Sequence, residues 1–150
     1  MQRLIDHIST ERYIFEGHFI RLGKRLKSMH FSGTGKFNVE GGRLWFDGAY
    51  RRNGRFTRSH RVAVNFASLR HCGIKMEATS ALGGRLSGHL CPATAMSFDL
   101  LLTGSSGRAA AGYLDLIGRR AFKLRGLFAH SSNPWSFELT AAPIGGSEWL

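Results

Sequence analysis

The sequence predicts an all-β fold: an antiparallel β-barrel of short strands, closed or partly open, with at most one or two short helices. Three observations carry that expectation. Apolar and polar residues alternate with a period of two over long stretches. An Asn-Gly pair, Asn53-Gly54, separates two such runs. The pattern apolar, any residue, glycine recurs in Phe15-Glu16-Gly17, Phe31-Ser32-Gly33, Phe46-Asp47-Gly48, Leu86-Ser87-Gly88 and Leu124-Arg125-Gly126. Glycine inside a strand marks a bulge, a barrel corner or a close approach of two backbones.

Taken along the chain, residues 1–11 have helical character. Tyr13, Phe15, Gly17 and Phe19 then share one face, with Glu16 and His18 on the other. Runs 43–52 and 55–67 flank Asn53-Gly54, which accepts the positive φ angles of a two-residue type I′ turn. That turn sets Arg52 opposite Arg55, Tyr50 opposite Thr57 and Asp47 opposite His60. Further alternation runs through Met96, Phe98, Leu100 and Leu102, through Phe122, Leu124, Gly126 and Phe128, and through Trp135, Phe137, Leu139 and Ala141. Residues 106–116 are a second helix candidate because of Ala109-Ala110-Ala111, although Gly112 interrupts them. Pro92, Pro134 and Pro143 fall where turns are expected. No Pro-rich or Ser-rich linker divides the chain, so 1–150 reads as a single domain with a loose tail at 145–150.

The 150 residues include 21 Lys+Arg against 10 Asp+Glu, for a formal net charge of +11. Hydrophobic residues make up 43%, enough for a core and too many for a disordered basic tail. No run of 18 apolar residues predicts a transmembrane segment, and the start lacks the apolar stretch of a secretory signal. A cytoplasmic protein is expected. The charge excess attracts polyanions, nucleotides or acidic surfaces. Sixteen of the basic residues are Arg, whose planar fork grips phosphate bidentately.

Cys72 and Cys91 are expected as reduced, buried thiols. With His71 and His89 they offer three metal ligands on one face at most, without paired-cysteine spacing, so no metal is expected. No phosphate-binding loop, dinucleotide fingerprint, nucleophile elbow or zinc-protease helix occurs, and no cofactor is implied.

The densest basic cluster is Arg51, Arg52, Arg55, Arg58 and Arg61. On the expected hairpin Arg51 and Arg58 share one face and Arg52, Arg55 and Arg61 the other. An Arg-rich barrel mouth is a phosphate clamp, whereas a solvated edge hairpin of arginines would only discourage aggregation.

From residue 58 onward the sequence resembles the PilZ domain, a small β-barrel family whose members often bind cyclic di-GMP. Thr57-Arg58-Ser59-His60-Arg61-Val62-Ala63-Val64 is similar to the family's arginine motif leading into a strand. Ala78-Thr79-Ser80-Ala81-Leu82-Gly83-Gly84-Arg85-Leu86 is similar to the short second motif and the strand after it. The likeness spans residues 58–129. It departs at Thr57, where the motif has its first arginine, although Arg51 and Arg55 keep that spacing. It departs again at Ala78, where the motif has an acid or amide. The resemblance implies that Arg61, with Arg58 or Arg55, meets phosphates or stacks on guanine. It also implies that Ser80, Gly83 and Gly84 approach the base edge. With Ala78 in place, it implies weakened affinity and a degenerate receptor or protein adaptor.

The expected function is therefore a non-catalytic binding module for an anionic partner: a cyclic dinucleotide, another phosphate-containing molecule, or an acidic protein. One alternative is a basic barrel binding single-stranded nucleic acid through Trp45, Tyr50 and Phe56 beside the arginines. Another is a PH-like lipid- or protein-binding module, which requires a helix at 106–117.

Overall fold

The computed structural model describes residues 2–23, 27–40, 43–52, 60–69, 73–80, 84–105, 107–130 and 133–144. A short helix, α1 (Gln2–His7), precedes ten strands: β1 (Arg12–Arg21), β2 (Lys27–Glu40), β3 (Arg43–Arg52), β4 (His60–Leu69) and β5 (Gly73–Ser80), then β6 (Arg85–Pro92), β7 (Ser97–Gly104), β8 (Ala109–Ile117), β9 (Ala121–His130) and β10 (Asn133–Pro143). Each strand pairs antiparallel with its sequence neighbours, and β1 closes on β10. The fold is a closed up-and-down barrel, all-β as expected. Closure leaves no strand edge to aggregate.

The period of two sorts each strand. Tyr13, Phe15 and Gly17 of β1 are buried while Ile14, Glu16 and His18 are exposed. Phe98, Leu100 and Leu102 of β7 repeat the pattern. Following directly paired residues from Arg21 around the wall leads to Val39 on β2, whereas Arg21 itself pairs with Lys27. That is a stagger of twelve residues, the shear that tilts strands roughly 40° to a barrel axis.

Register explains the recurrent apolar-any-glycine pattern. On β1 and β2, Phe15 stands opposite Gly33 and Gly17 opposite Phe31. On β6 and β7, Leu86 stands opposite Gly104 and Gly88 opposite Leu102. Phe15, Phe31 and Leu86 each lie over the neighbouring strand's missing side chain. Gly112 and Gly126 face each other on β8 and β9, and a Cβ on either would run into the neighbouring backbone. These contacts let the wall bend tightly.

The core is dry at one end. Tyr13, Leu44, Ile74, Leu90 and Phe98 are fully buried beneath α1, which contributes buried Leu4 and is followed at once by buried Ile8. The helix is too short to be stable alone, so tertiary contacts must hold it. Its tether is polar. The Tyr13 hydroxyl donates to the Arg120 carbonyl at 2.6 Å and accepts from the Ser9 N–H at 2.9 Å. Arg120 Nη1 donates to the Ile8 carbonyl at 2.8 Å, and Arg3 Nη1 to the Thr94 carbonyl at 3.0 Å.

Three expectations are corrected. Residues 109–117 are strand β8, not helix: Ala110, Gly112, Leu114 and Leu116 face inward, and β7 and β9 satisfy the backbone on both sides. Alanine's helix propensity yields to that pairing. The PH-like reading loses its required helix. The hairpin of β3 and β4 forms, but Tyr50 pairs with His60 and Asp47 with Ala63, three residues from the register that a two-residue Asn53-Gly54 turn dictates. An odd shift turns β4 over. The shift places Val62, Val64 and Phe66 inside, where the Asn-Gly register would have put Arg61 and Ala63. Asn53 and Gly54 themselves lie outside the described residues. Finally, Cys91 is half-buried and faces outward beside His89 rather than entering the core. His71 and Cys72 lie outside the described residues.

Candidate functional site

Opposite α1, the barrel end bounded by the starts of β2, β4, β6, β8 and β10 has a different chemistry. On β1 the inward series Tyr13, Phe15, Gly17, Phe19 continues to Arg21. On β3 the series Leu44, Phe46, Gly48, Tyr50 continues to Arg52. On β8 the series Leu116, Leu114, Gly112, Ala110 extends back to Arg108, whose carbonyl accepts from the Gly104 N–H at 2.8 Å. Three arginines thus occupy the inward position just beyond an apolar series, all at one end. All three are half-buried.

No carboxylate on a described strand shares their face. Glu16, Glu40, Asp47, Glu77, Asp99, Asp115 and Glu138 all sit at outward positions. Several pair with bases on the outer wall: Lys123 with Glu138 at 3.1 Å, Arg125 with Asp115 at 3.3 Å, and Arg85 with Glu77. No carboxylate of the described strands thus shares the inward face with Arg21 or Arg108. Charge set in a low-dielectric wall is screened less than charge on the outer surface.

Arg108 is the most constrained of the three. Its Nε is sealed from solvent and has no hydrogen-bond partner. Its side chain crosses the bare backbone of two glycines: a Cβ on Gly104 would stand 3.5 Å from its Cβ, and a Cβ on Gly84 would stand 3.4 Å from Nη1. Arg52 Nη1 donates to the Met29 sulfur at 3.9 Å. Aromatic rings lie beneath this rim: Phe19 packs on Phe31, Phe128 and Phe137 at centroid distances of 5.3, 6.2 and 5.9 Å, and Trp135 pairs with both Arg21 and Phe128.

Of the residues singled out from sequence, Arg51, Arg61, Ser80 and Gly84 lie at the same end but do not form one group. Arg51 and Arg61 both face outward on the outer wall, contrary to the expected division that grouped Arg61 with Arg52. Arg61 grips Asp47 with two bonds, Nε to Oδ1 at 3.1 Å and Nη2 to Oδ2 at 2.6 Å. Hydrogen bonding and charge from Arg61 hold the Asp47 carboxyl below its ordinary range. Ser80 closes β5 and pairs with Val62 of β4. Gly84 precedes β6, beside Arg108. Arg55, Arg58 and Gly83 lie outside the described residues. Of the aromatic residues near the arginines, Trp45 faces outward and Tyr50 inward, while Phe56 is not described.

The strand pattern missed Arg21 and Arg108 but contained their signal. Each is a charged residue in phase with an inward apolar series, and reading phase rather than charge density would have found both. Among the described residues, no group of three His, Cys, Asp or Glu could hold a metal ion. No helix among them is long and apolar enough to cross a membrane.

No protein-family model and no curated protein matches the chain. Among solved structures it is similar to the ywiB protein from Bacillus subtilis, at 8% identity and a TM-score of 0.47, with 94% of this chain and 98% of that chain covered. The barrel assignment rests on the strand ladder itself.

Proposed function

We propose that the chain is a non-catalytic binding module that receives an anionic partner at the barrel end opposite α1. The observation that carries this reading is that Arg21, Arg52 and Arg108 occupy inward positions at one barrel end, with every described strand carboxylate at an outward position. Half-buried arginine forks bind carboxylate or phosphate more strongly than arginines in open water.

The PilZ resemblance motivates a narrower form, a degenerate receptor for a cyclic dinucleotide or an adaptor that lost the ligand. Its support is positional: Arg51, Arg61, Ser80 and Gly84 lie at this end of the barrel, Arg51 and Arg61 on its outer wall rather than with the inward arginines. Calorimetry with cyclic di-GMP tests it, and no heat at about 100 µM ligand removes the receptor form.

The general reading predicts that small anions compete with one another and bind more weakly as salt rises. It predicts that Arg21→Gln and Arg52→Gln each lower their affinity. Tight oligonucleotide retention untouched by either change would instead place a nucleic acid on the outer wall. Failure of every anion to bind would sink the reading.

A further inference from the structure

We infer that the outer wall of β7, β8 and β9 docks a second copy of this chain about a two-fold axis along β8, independently of any anion at the barrel end. Leu101 and Leu127 are the most exposed large hydrophobic residues among those described, at 59% and 55%. They lie in one cross-strand row, on either side of exposed Ala111. The next row toward Arg108 is Thr103, Ala109 and Ala129. Six adjoining outward positions thus carry no charge, on a chain with a formal net charge of +11. A contiguous exposed apolar patch on a folded domain marks an interaction surface.

Register determines what fits it. An axis along β8 lays β7 of each copy over β9 of the other, so Leu101 meets the second copy's Leu127 and Thr103 its Ala129. One row further, Asp99 and Arg125 stand on either side of Tyr113. Asp99 is exposed and makes no ion pair among the described residues. Under the same axis each Asp99 meets the other copy's Arg125, giving two opposite-charge contacts. Arg125 Nε serves Asp115 at 3.3 Å, and the other guanidinium donors can serve Asp99. Asp115, which the axis sets against itself, is held by Arg125 and by the Ser97 hydroxyl at 2.7 Å. An axis across the strands would instead press Asp99 on Thr103 and Arg125 on Ala129, leaving charges unpaired. Shape agrees with the axis along β8. Two convex walls approach most closely at the strand on the axis, where Ala109 and Ala111 are small, and diverge beside it, where the leucines reach across. Three outward rows on three strands are small beside the roughly 1,600 Å² of a standard interface, so the pair is expected at micromolar rather than nanomolar concentration.

Sedimentation equilibrium of the full chain tests this. The unaltered chain is expected to show a reversible monomer–dimer equilibrium. Leu101→Asp and Leu127→Lys fall at exposed positions, and each alone should weaken association at least about tenfold. Mixed in equal amounts, the two variants should associate more tightly than either alone. The axis brings the acid introduced in one chain to the base introduced in the other and keeps the second leucine contact. An unaltered chain that stays monomeric up to about 1 mM overturns the inference and depends on no variant's folding. Folded variants that associate as tightly as the unaltered chain overturn it too. A mixture no tighter than its components overturns the axis and the pairing drawn from it. A monomer that binds phosphatidylcholine vesicles through these leucines would assign the face to lipid, and the second copy would be wrong.

Discussion

The ring of Phe46 fills the space where a side chain on Gly35 would begin, and the first obstacles to a Cβ there are all atoms of that ring. At Gly33, two positions along the same face, the obstacles differ: the Ala49 carbonyl and the tip of Phe15. The two glycines therefore make different demands.

Gly35→Ala is expected to destabilise the barrel by about 1–3 kcal/mol through overpacking. Phe46→Leu should recover much of that loss, so the double variant is more stable than additivity allows. Gly33→Ala should cost as much or more, and Phe15→Leu should not rescue it, because a neighbouring carbonyl cannot be trimmed. Denaturant unfolding of the two cycles checks this. Equal rescue at both positions would contradict the register.

Tyr13→Phe removes a hydroxyl that serves the Ser9 N–H and the Arg120 carbonyl in a fully buried place. Leaving those groups unsatisfied should cost about 1–3 kcal/mol. Hydrogen exchange should accelerate at Ser9 and the last turn of α1 before it does in the strands. Uniform acceleration would mean that the helix is not held by this contact.

The Asp47 carboxyl lies below its ordinary range because Arg61 hydrogen-bonds and attracts its charged form. A carboxyl depressed in the folded state adds stability above the unfolded value of about 3.9 and loses it as pH falls through the folded value. Its side chain is 45% exposed and that of Arg61 74%, so solvent screens the pair and the stability effect is small. The direct measurement is the Asp47 titration by NMR in the wild type and in Arg61→Gln. Removing the arginine should move the titration upward, and an unchanged curve would refute the pairing.

Leu90 is fully buried on β6, whereas Leu101 is 59% exposed on β7. Leu90→Ala should cost about 2–5 kcal/mol. Leu101→Ala should change stability by about 0.5 kcal/mol or less, as surface substitutions do. Comparable losses at the two positions would contradict the inward phase of β7.

Strand phase was legible in the sequence because side chains on an extended chain must alternate, and one face must be apolar to make a core. Phe98, Leu100 and Leu102, or Phe122, Leu124 and Phe128, announce their face without reference to any partner. Local signals misled where a distant demand outweighed them. Asn53-Gly54 favours a tight turn, but burial of Val62, Val64 and Phe66 sets the register of β4. Ala109-Ala110-Ala111 favours helix, but β7 and β9 recruit it as the wall between them.

By itself, then, the sequence determined an antiparallel barrel, a basic protein and the pairs of residues that share a face within each strand. It left open which residues become neighbours across strands, because a period of two contains no information about register. The candidate site depends wholly on that. Arg21, Arg52 and Arg108 are separated by 31 and 56 positions and belong to no common motif. Closure of β1 on β10, with each strand reversing the last, brings their strand ends to one rim and leaves the described strand carboxylates on the other side of the wall.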